Sequence, residues 1–217
     1  MKSLPKSNIV CRAPAFSLVE MAAVIAIIGT LMTAGVSLLS GTGAQSCKAA
    51  ADLLTGLVEQ AQTTAITSRS HVLLAIAEPG DLAAGDECCR IGLLKIGEWP
   101  DSPRSPLTLT GVQVKRWQTL ETGIVLRGGD VDGVANPLDG EQVTIRYGGT
   151  GNPGVKVHMI AFNPRGGLHY PAGSAPVAFR IAEGRYRGGK AVTGPRDGSE
   201  RRLKIGRVTA RPYRTDE

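Results

Sequence analysis

From Met21 to Leu39 the chain runs nineteen residues without a charge, MAAVIAIIGTLMTAGVSLL. A helix needs about 20 apolar residues to cross a bilayer, so this run constrains everything around it. A secretory signal peptide has a shorter apolar segment, about 7–15 residues, with a small-residue cleavage site behind it. Here the run is longer, and Glu20 stands at its front edge. A buried helix of a soluble domain is the other reading, but an uncharged stretch of this length packs poorly inside a chain of 217 residues. The run is therefore expected to anchor the chain in lipid. Lys2, Lys6 and Arg12 precede it with no acid between them, which holds the N-terminus on the cytoplasmic side of the inner membrane and the rest outside it. Cys11 is not a lipidation site, because Ser7-Asn8-Ile9-Val10 before it is neither apolar nor a small-residue cleavage context.

The residues leading into the run are Ala15-Phe16-Ser17-Leu18-Val19-Glu20. A short basic leader, a small residue before Phe, Glu at the fifth position after it and a charge-free helix behind together resemble the signal of type IV prepilins and pseudopilins. The resemblance implies that a prepilin peptidase cuts between Ala15 and Phe16, that Phe16 is N-methylated, and that the hydrophobic segment is kept. It also gives Glu20 an assembly role, pairing with the N-terminal amine of a neighbouring subunit. Physical chemistry agrees that the carboxylate needs a reason to be there: a charge at the bilayer centre costs about 2.5–3.5 kcal/mol. An opposite charge ~4 Å away returns about 4 kcal/mol at an effective dielectric of 20. A plainer account leaves Glu20 in the headgroup zone, where the helix dipole favours an anion. Two departures stand out: Ala15 occupies a place where Gly is usual, and Ser37 stands where major pilins commonly carry a helix-kinking Pro. The second favours a minor subunit. Ala22, Ala26, Thr30 and Ala34 form a stripe of small residues that lets another helix approach closely.

Ser40-Gly41-Thr42-Gly43 interrupts the helical pattern, which then resumes with Ala50, Leu53, Leu54, Leu57, Val58, Ala61 and Ala65 on one face. One helix is expected over residues 16–68, bent or loosened at the glycines and roughly 80 Å long at ~1.5 Å per residue. Beyond Ser70 the pattern becomes strand-like, with candidates at His71–Ala77, Arg90–Ile96, Val112–Trp117, Ile124–Arg127, Gln142–Tyr147, Val155–Phe162, Val177–Ile181 and Leu203–Arg211. Pro100, Pro103 and Pro106 mark a connection between them. The expected fold is α+β, a pilin-like spine helix packed on an antiparallel sheet. Its divisions are a cleaved leader (1–15), a transmembrane half-helix (16–40), a soluble half-helix (41–70) and a β-rich periplasmic head (71–217). The order of pieces resembles the GspH/FimT-like pseudopilins. Met159-Ile160-Ala161-Phe162-Asn163-Pro164-Arg165-Gly166-Gly167 matches their strand that ends in Phe-x-Pro-x-Gly, and Ile205-Gly206-Arg207-Val208 their closing Gly-Arg strand. A fainter likeness joins the chain to the prepilin-type Verru_Chthon cassette proteins.

Other constellations fail on context. Gly149-Thr150-Gly151-Asn152-Pro153-Gly154 matches G-x-G-x-x-G, but a dinucleotide motif must open a helix, and Val155-Lys156-Val157-His158 reads as a strand. Asp130-x-Asp132-Gly133, with Asn136, Asp139 and Glu141, hints at a calcium loop, yet Val134 occupies a ligand position, and a solvated acidic loop is the simpler reading. Three histidines (His71, His158, His169) lack metal-ligand spacing, and no base, nucleophile and orienting group converge. No enzyme activity, metal or cofactor is expected. Loss of the leader removes Cys11 and leaves Cys47, Cys88 and Cys89, enough for one disulfide whose partners the sequence does not choose.

From Arg185 onward ten Lys or Arg face four acids. Arg201, Arg202, Lys204, Arg207 and Arg211 are the candidate nucleic-acid contacts in this stretch. Without the leader the chain carries 22 basic against 19 acidic residues, too small an excess to argue for nucleic acid by itself. The resemblance implies a structural subunit, processed by the prepilin peptidase and assembled with other pseudopilins or pilins into a type II secretion pseudopilus or a type IV pilus-like fibre, near its tip. The alternative is a DNA-binding minor pilin for DNA uptake.

Overall fold

The computed structural model describes residues 18–39, 42–82, 88–100, 107–148, 154–193 and 200–214. The chain divides into two units, residues 1–41 and 42–217. The first holds α1 (Leu18–Leu39). The second holds α2 (Thr42–Ser68) and the strands β1 (His71–Ala77), β2 (Arg90–Ile96), β3 (Thr108–Thr119), β4 (Ile124–Arg127), β5 (Val143–Arg146), β6 (Val155–Phe162), β7 (Leu168–Tyr170), β8 (Val177–Arg187), β9 (Lys190–Thr193), β10 (Arg201–Ile205) and β11 (Pro212–Arg214). The single helix expected over residues 16–68 is thus described as two, with Ser40 and Gly41 between them outside the described residues.

The resumed three- and four-residue spacing places Cys47, Ala50, Ala51, Leu54, Leu57, Val58, Ala61 and Ala65 on one buried face of α2. Gly43 weakens the helix on propensity alone. The Glu183 carboxylate from β8 reaches the space beside it, an anion lying at the helix start where the dipole favours it. At the other end Arg69 takes a left-handed φ of 48° and Ser70 N–H bonds the Ala65 carbonyl at 3.3 Å. That is a helix stop usually built on Gly.

β1 is the centre of the head. It pairs antiparallel with β2 on one edge and β6 on the other, and all but its first residue are buried. Such a near-continuous apolar run marks a strand covered on both faces. β2 continues antiparallel to β3, β3 meets β5 in parallel over Thr108–Thr110, and β5 returns antiparallel to β6. The five pairings therefore close into a ring. Leu73, Ala75, Leu94, Ile96, Leu109, Val143, Ile145, Val157, Met159 and Ala161 belong to the cluster that fills it. Val72, Leu74, Ile76, Ile91, Leu93, Ile160 and Phe162 alternate with these and face α2. A second sheet, ordered β11-β10-β8-β4 with β9 paired to β8, adds Ile124, Leu126, Val177, Phe179, Ile181, Leu203 and Ile205 to the same cluster around α2. The helix is held between ring and sheet.

The antiparallel head expected from the sequence needs three corrections. There are two sheets rather than one, and β3–β5 is parallel. The stretch 203–211 is not one strand: β10 ends at Ile205, and a turn with Ala210 at φ 47° leads into β11. The basic residues Arg185, Arg187 and Lys190 lie in a β8–β9 hairpin, turned by Gly188 and Gly189 at φ 56° and 76°, the two-residue loop that such hairpins favour. No helix follows Gly154; β5 and β6 pair as a hairpin from Ile145↔Val155. Asp132 and Gly133 form another tight turn, closed by Val131 and Val134 at 3.0 and 2.9 Å.

β3 carries two register shifts against β2. Opposite them Gly92 has no side chain, and the Trp117 ring covers it so closely that a Cβ would sit 2.9 Å from that ring. Trp117 also donates its Nε1–H to the Tyr147 hydroxyl at 3.1 Å. Gly92→Val is expected to push Trp117 off this seat, breaking the Tyr147 bond and lowering stability by about 1–3 kcal/mol, as overpacking does. Denaturant unfolding checks the loss, and a red-shifted Trp emission the displacement; a variant with unchanged midpoint and emission would refute the packing role.

Candidate functional site

α1 carries the first group of expected site residues. Glu20 lies in its first turn; Ala15 and Phe16 lie outside the described residues. Every described side chain from Leu18 to Thr30 is exposed, including Leu18 at 87%, Val19 at 77% and Ile25 at 67%. Apolar surface of this extent on a helix calls for a cover of lipid or protein. Among the described residues no helix is long and apolar enough to cross a membrane; the side chains of residues 31–39, the second half of the uncharged run, lie outside them.

The second group, the basic residues of the C-terminal segment, is gathered mostly on β10 and then occupied. β10 alternates Leu203 and Ile205 inward with Arg202 and Lys204 outward. Lys204 reaches Asp132 at 2.8 Å and Arg202 reaches it at 3.2 Å. Glu200 receives two bonds of 2.8 Å from Arg180, with Arg202 at 3.6 Å and Arg127 at 3.8 Å. Arg207 donates to the carbonyls of Ala175 and Pro171, and Arg214 pairs with Asp52 of α2. Arg201 opens β10, and Arg211 is exposed beyond the turn. Three of the five candidates, Arg202, Lys204 and Arg207, thus have bonds of their own within the head. Burial alone would raise the Glu200 carboxyl, but the bonds from Arg180 and the charges of Arg180, Arg202 and Arg127 outweigh it and hold the group below its ordinary range. Asp132 is used as an ion-pair partner at a tight turn, and Asp139 accepts the Gly129 N–H at 2.9 Å. Among the described residues no group of three or more His, Cys, Asp or Glu is placed to hold a metal. No disulfide joins Cys47, Cys88 and Cys89, and burial pushes the Cys89 thiol up to about 12.

A third group went unrecognised in the sequence. His71 at the head of β1 and His169 in β7 bring their ring centroids to 4.6 Å. Trp99, in the loop after β2, meets His169 edge-on at 4.6 Å and His71 at 5.4 Å. The rings line an open cavity of about 550 Å³ together with Arg69, Pro100 and Pro164. Burial lowers both imidazoles, and the charge of His169 lowers His71 further. The third histidine, His158, is buried in β6; burial lowers it too, against a hydrogen bond with Pro137 and the charges of Asp81 and Asp139. Nothing in the spacing of residues 71 and 169 announces the pair, because only the pairing of β1 and β7 to the same strand, β6, brings them together.

No family model matches the chain, and no curated protein matches it. Among solved structures it is similar to the type IV minor pilin FimU of Pseudomonas aeruginosa (strain PAO1), with a TM-score of 0.40 and 12% identity over 79% of this chain and 90% of that one. A superposition this loose transfers no residue roles.

The Glu200 cluster has a testable pH signature. A carboxyl held low contributes stability above its unfolded value and loses it as pH falls through the folded one. Glu200→Gln is expected to lower the melting temperature at pH 7 and to converge with the wild type in acid, where the native carboxyl is itself protonated. A constant gap between the two melting curves from pH 7 to acid would show that the carboxylate's charge is not what binds the arginines.

Proposed function

We propose that this chain is a pilin-like fibre subunit, anchored in the inner membrane by α1 with its N-terminus cytoplasmic and its head periplasmic. In this reading a prepilin peptidase cuts between Ala15 and Phe16 and methylates Phe16, and the mature subunit assembles with other pseudopilins or pilins. The observation that carries it is the uncovered apolar surface of α1 from Leu18 to Thr30, continuous in sequence with the motif at residues 15–20 and the uncharged run to Leu39. A helix apolar on all sides needs lipid or partner helices, and a fibre subunit meets both in turn. The absent Pro at position 37 favours a minor subunit, placed near the tip of a pseudopilus or pilus. The ion pairs of Arg202, Lys204 and Arg214 weigh against DNA capture by the basic segment, since a partner would have to break them to reach the phosphates.

Two experiments address the reading. The intact mass of the chain made in a host with a prepilin peptidase is expected to correspond to a start at N-methylated Phe16, with Ala15→Lys blocking the cut. A mature chain that begins downstream of the apolar run would remove the anchor and the reading with it. Glu20→Ala is expected to leave processing and membrane insertion intact while reducing crosslinks to partner helices severalfold. Equal crosslinking of variant and wild type would end the assembly role of Glu20.

A further inference from the structure

The cavity bordered by His71, His169 and Trp99 has a charge arrangement that none of the roles above uses. Arg69, just after α2, lines it with Ser70, Gly97, Pro100 and Pro164, and Tyr170 reaches Trp99 at 6.2 Å from the β7 side. Among the described residues no carboxylate lines the cavity, although Glu98 stands between Gly97 and Trp99 in the same loop. Two imidazoles lie in ring contact at 4.6 Å, so that a proton on either places a cation against its neighbour. A metal would relieve such a pair only with further ligands, and none is grouped with it among the described residues.

We propose that the His71–His169–Trp99 contact is an acid-released latch, in which protonation of the two imidazoles drives β7 and the Trp99 loop away from the start of β1. The geometry also says which side moves. β1 is held on both edges, by His71↔Ile96 toward β2 and Val72↔Phe162 toward β6. β7 is three residues long, pairs as a strand with β6 through an irregular register at Ala161 and Phe162, and is held besides by the Leu168 N–H bond to the Arg207 carbonyl at 2.9 Å, against the full-length pairing of β1 with β2 and β6. Repulsion therefore displaces β7. Burial disfavours the proton on both rings, and His169 disfavours it further on His71. The latch is thus fully closed above the unfolded histidine value of 6.5. It weakens as pH falls below that value toward the folded ones. Two imidazoles in contact titrate as a pair rather than as independent sites.

The chain has three histidines and two tryptophans, few enough to follow singly by NMR in the full-length protein held in mild detergent. The Cε1–H signals of the histidines and the indole signals of Trp99 and Trp117 are recorded from about pH 8 to about pH 4.5, spanning the histidine range, with each histidine assigned by its own substitution to Gln. Expected are midpoints for His71 and His169 below the ordinary histidine value, a Trp99 shift that follows them, and a Trp117 signal that does not. His169→Gln should move the His71 midpoint upward and abolish the Trp99 shift; His71→Gln should remove the same step as seen from His169; His158→Gln should leave it in place. The latch is overturned if His71 and His169 titrate independently at the ordinary value. It is overturned equally if Trp99 is silent across the range, or if its shift survives unchanged in His169→Gln and His71→Gln.

Discussion

Everything in the head depends on a strand that has no free side. β1 is paired along both edges and covered on both faces, by the ring interior through Leu73 and Ala75 and by α2 through Val72, Leu74 and Ile76. The alternation of a strand sends successive side chains to opposite faces, so one seven-residue segment supplies two separate apolar clusters. α2 can lie close to it because four positions on its buried face are alanine. The second sheet then closes over the exposed flank of α2, and its arginine-rich outer surface is positioned by that packing rather than by any ligand.

The charges of the C-terminal segment take their meaning from this arrangement. Glu200 lies at the start of β10, where β8 and β4 bring Arg180 and Arg127 beside it. Register places Arg202 directly across from Arg180, a like-charged cross-strand pair that is unfavourable alone. One carboxylate serving both arginines relieves it. Exposed ion pairs are worth little singly, but here Asp132 and Glu200 tie three strands and a turn together. What reads in the sequence as a cationic tail is, over β10, a sheet surface whose positive charge is offset in part by Glu200 and Asp132.

Much of this was legible in the residues. The strands at 71–77, 90–96, 124–127 and 155–162 coincide with the apolar runs bounded by turn residues, and the end of α2 at Ser68 coincides with the end of the three-and-four spacing. The failures have physical causes. β9 and β11 have four and three residues, too few for an apolar alternation to mark them; the Gly188-Gly189 pair was the available signal for the first. β7 has three residues, too few for a period. The division into two sheets and the parallel β3–β5 contact depend on pairings between distant segments, which local patterning does not encode. The histidine pair was hidden for the same reason, since its members are brought together by strands and not by spacing. The N-terminal motif, by contrast, is a contiguous signal, and its two cleavage residues lie outside the described structure.

The closed ring also dictates an order of events during synthesis. β1 leaves the ribosome before β6, yet β6 is what covers one of its edges, and the intervening residues include the whole of β2, β3 and β5. Until residue 162 has emerged, the segment His71-Val72-Leu73-Leu74-Ala75-Ile76-Ala77 presents an uncharged, β-prone edge to whatever is near, the kind of segment that recruits foreign strands. Non-local closure of this type is slow relative to local pairing. The interval between the appearance of β1 and that of β6 is therefore when the chain is most exposed to misassembly, and a chaperone acting on nascent chains would have its greatest effect there.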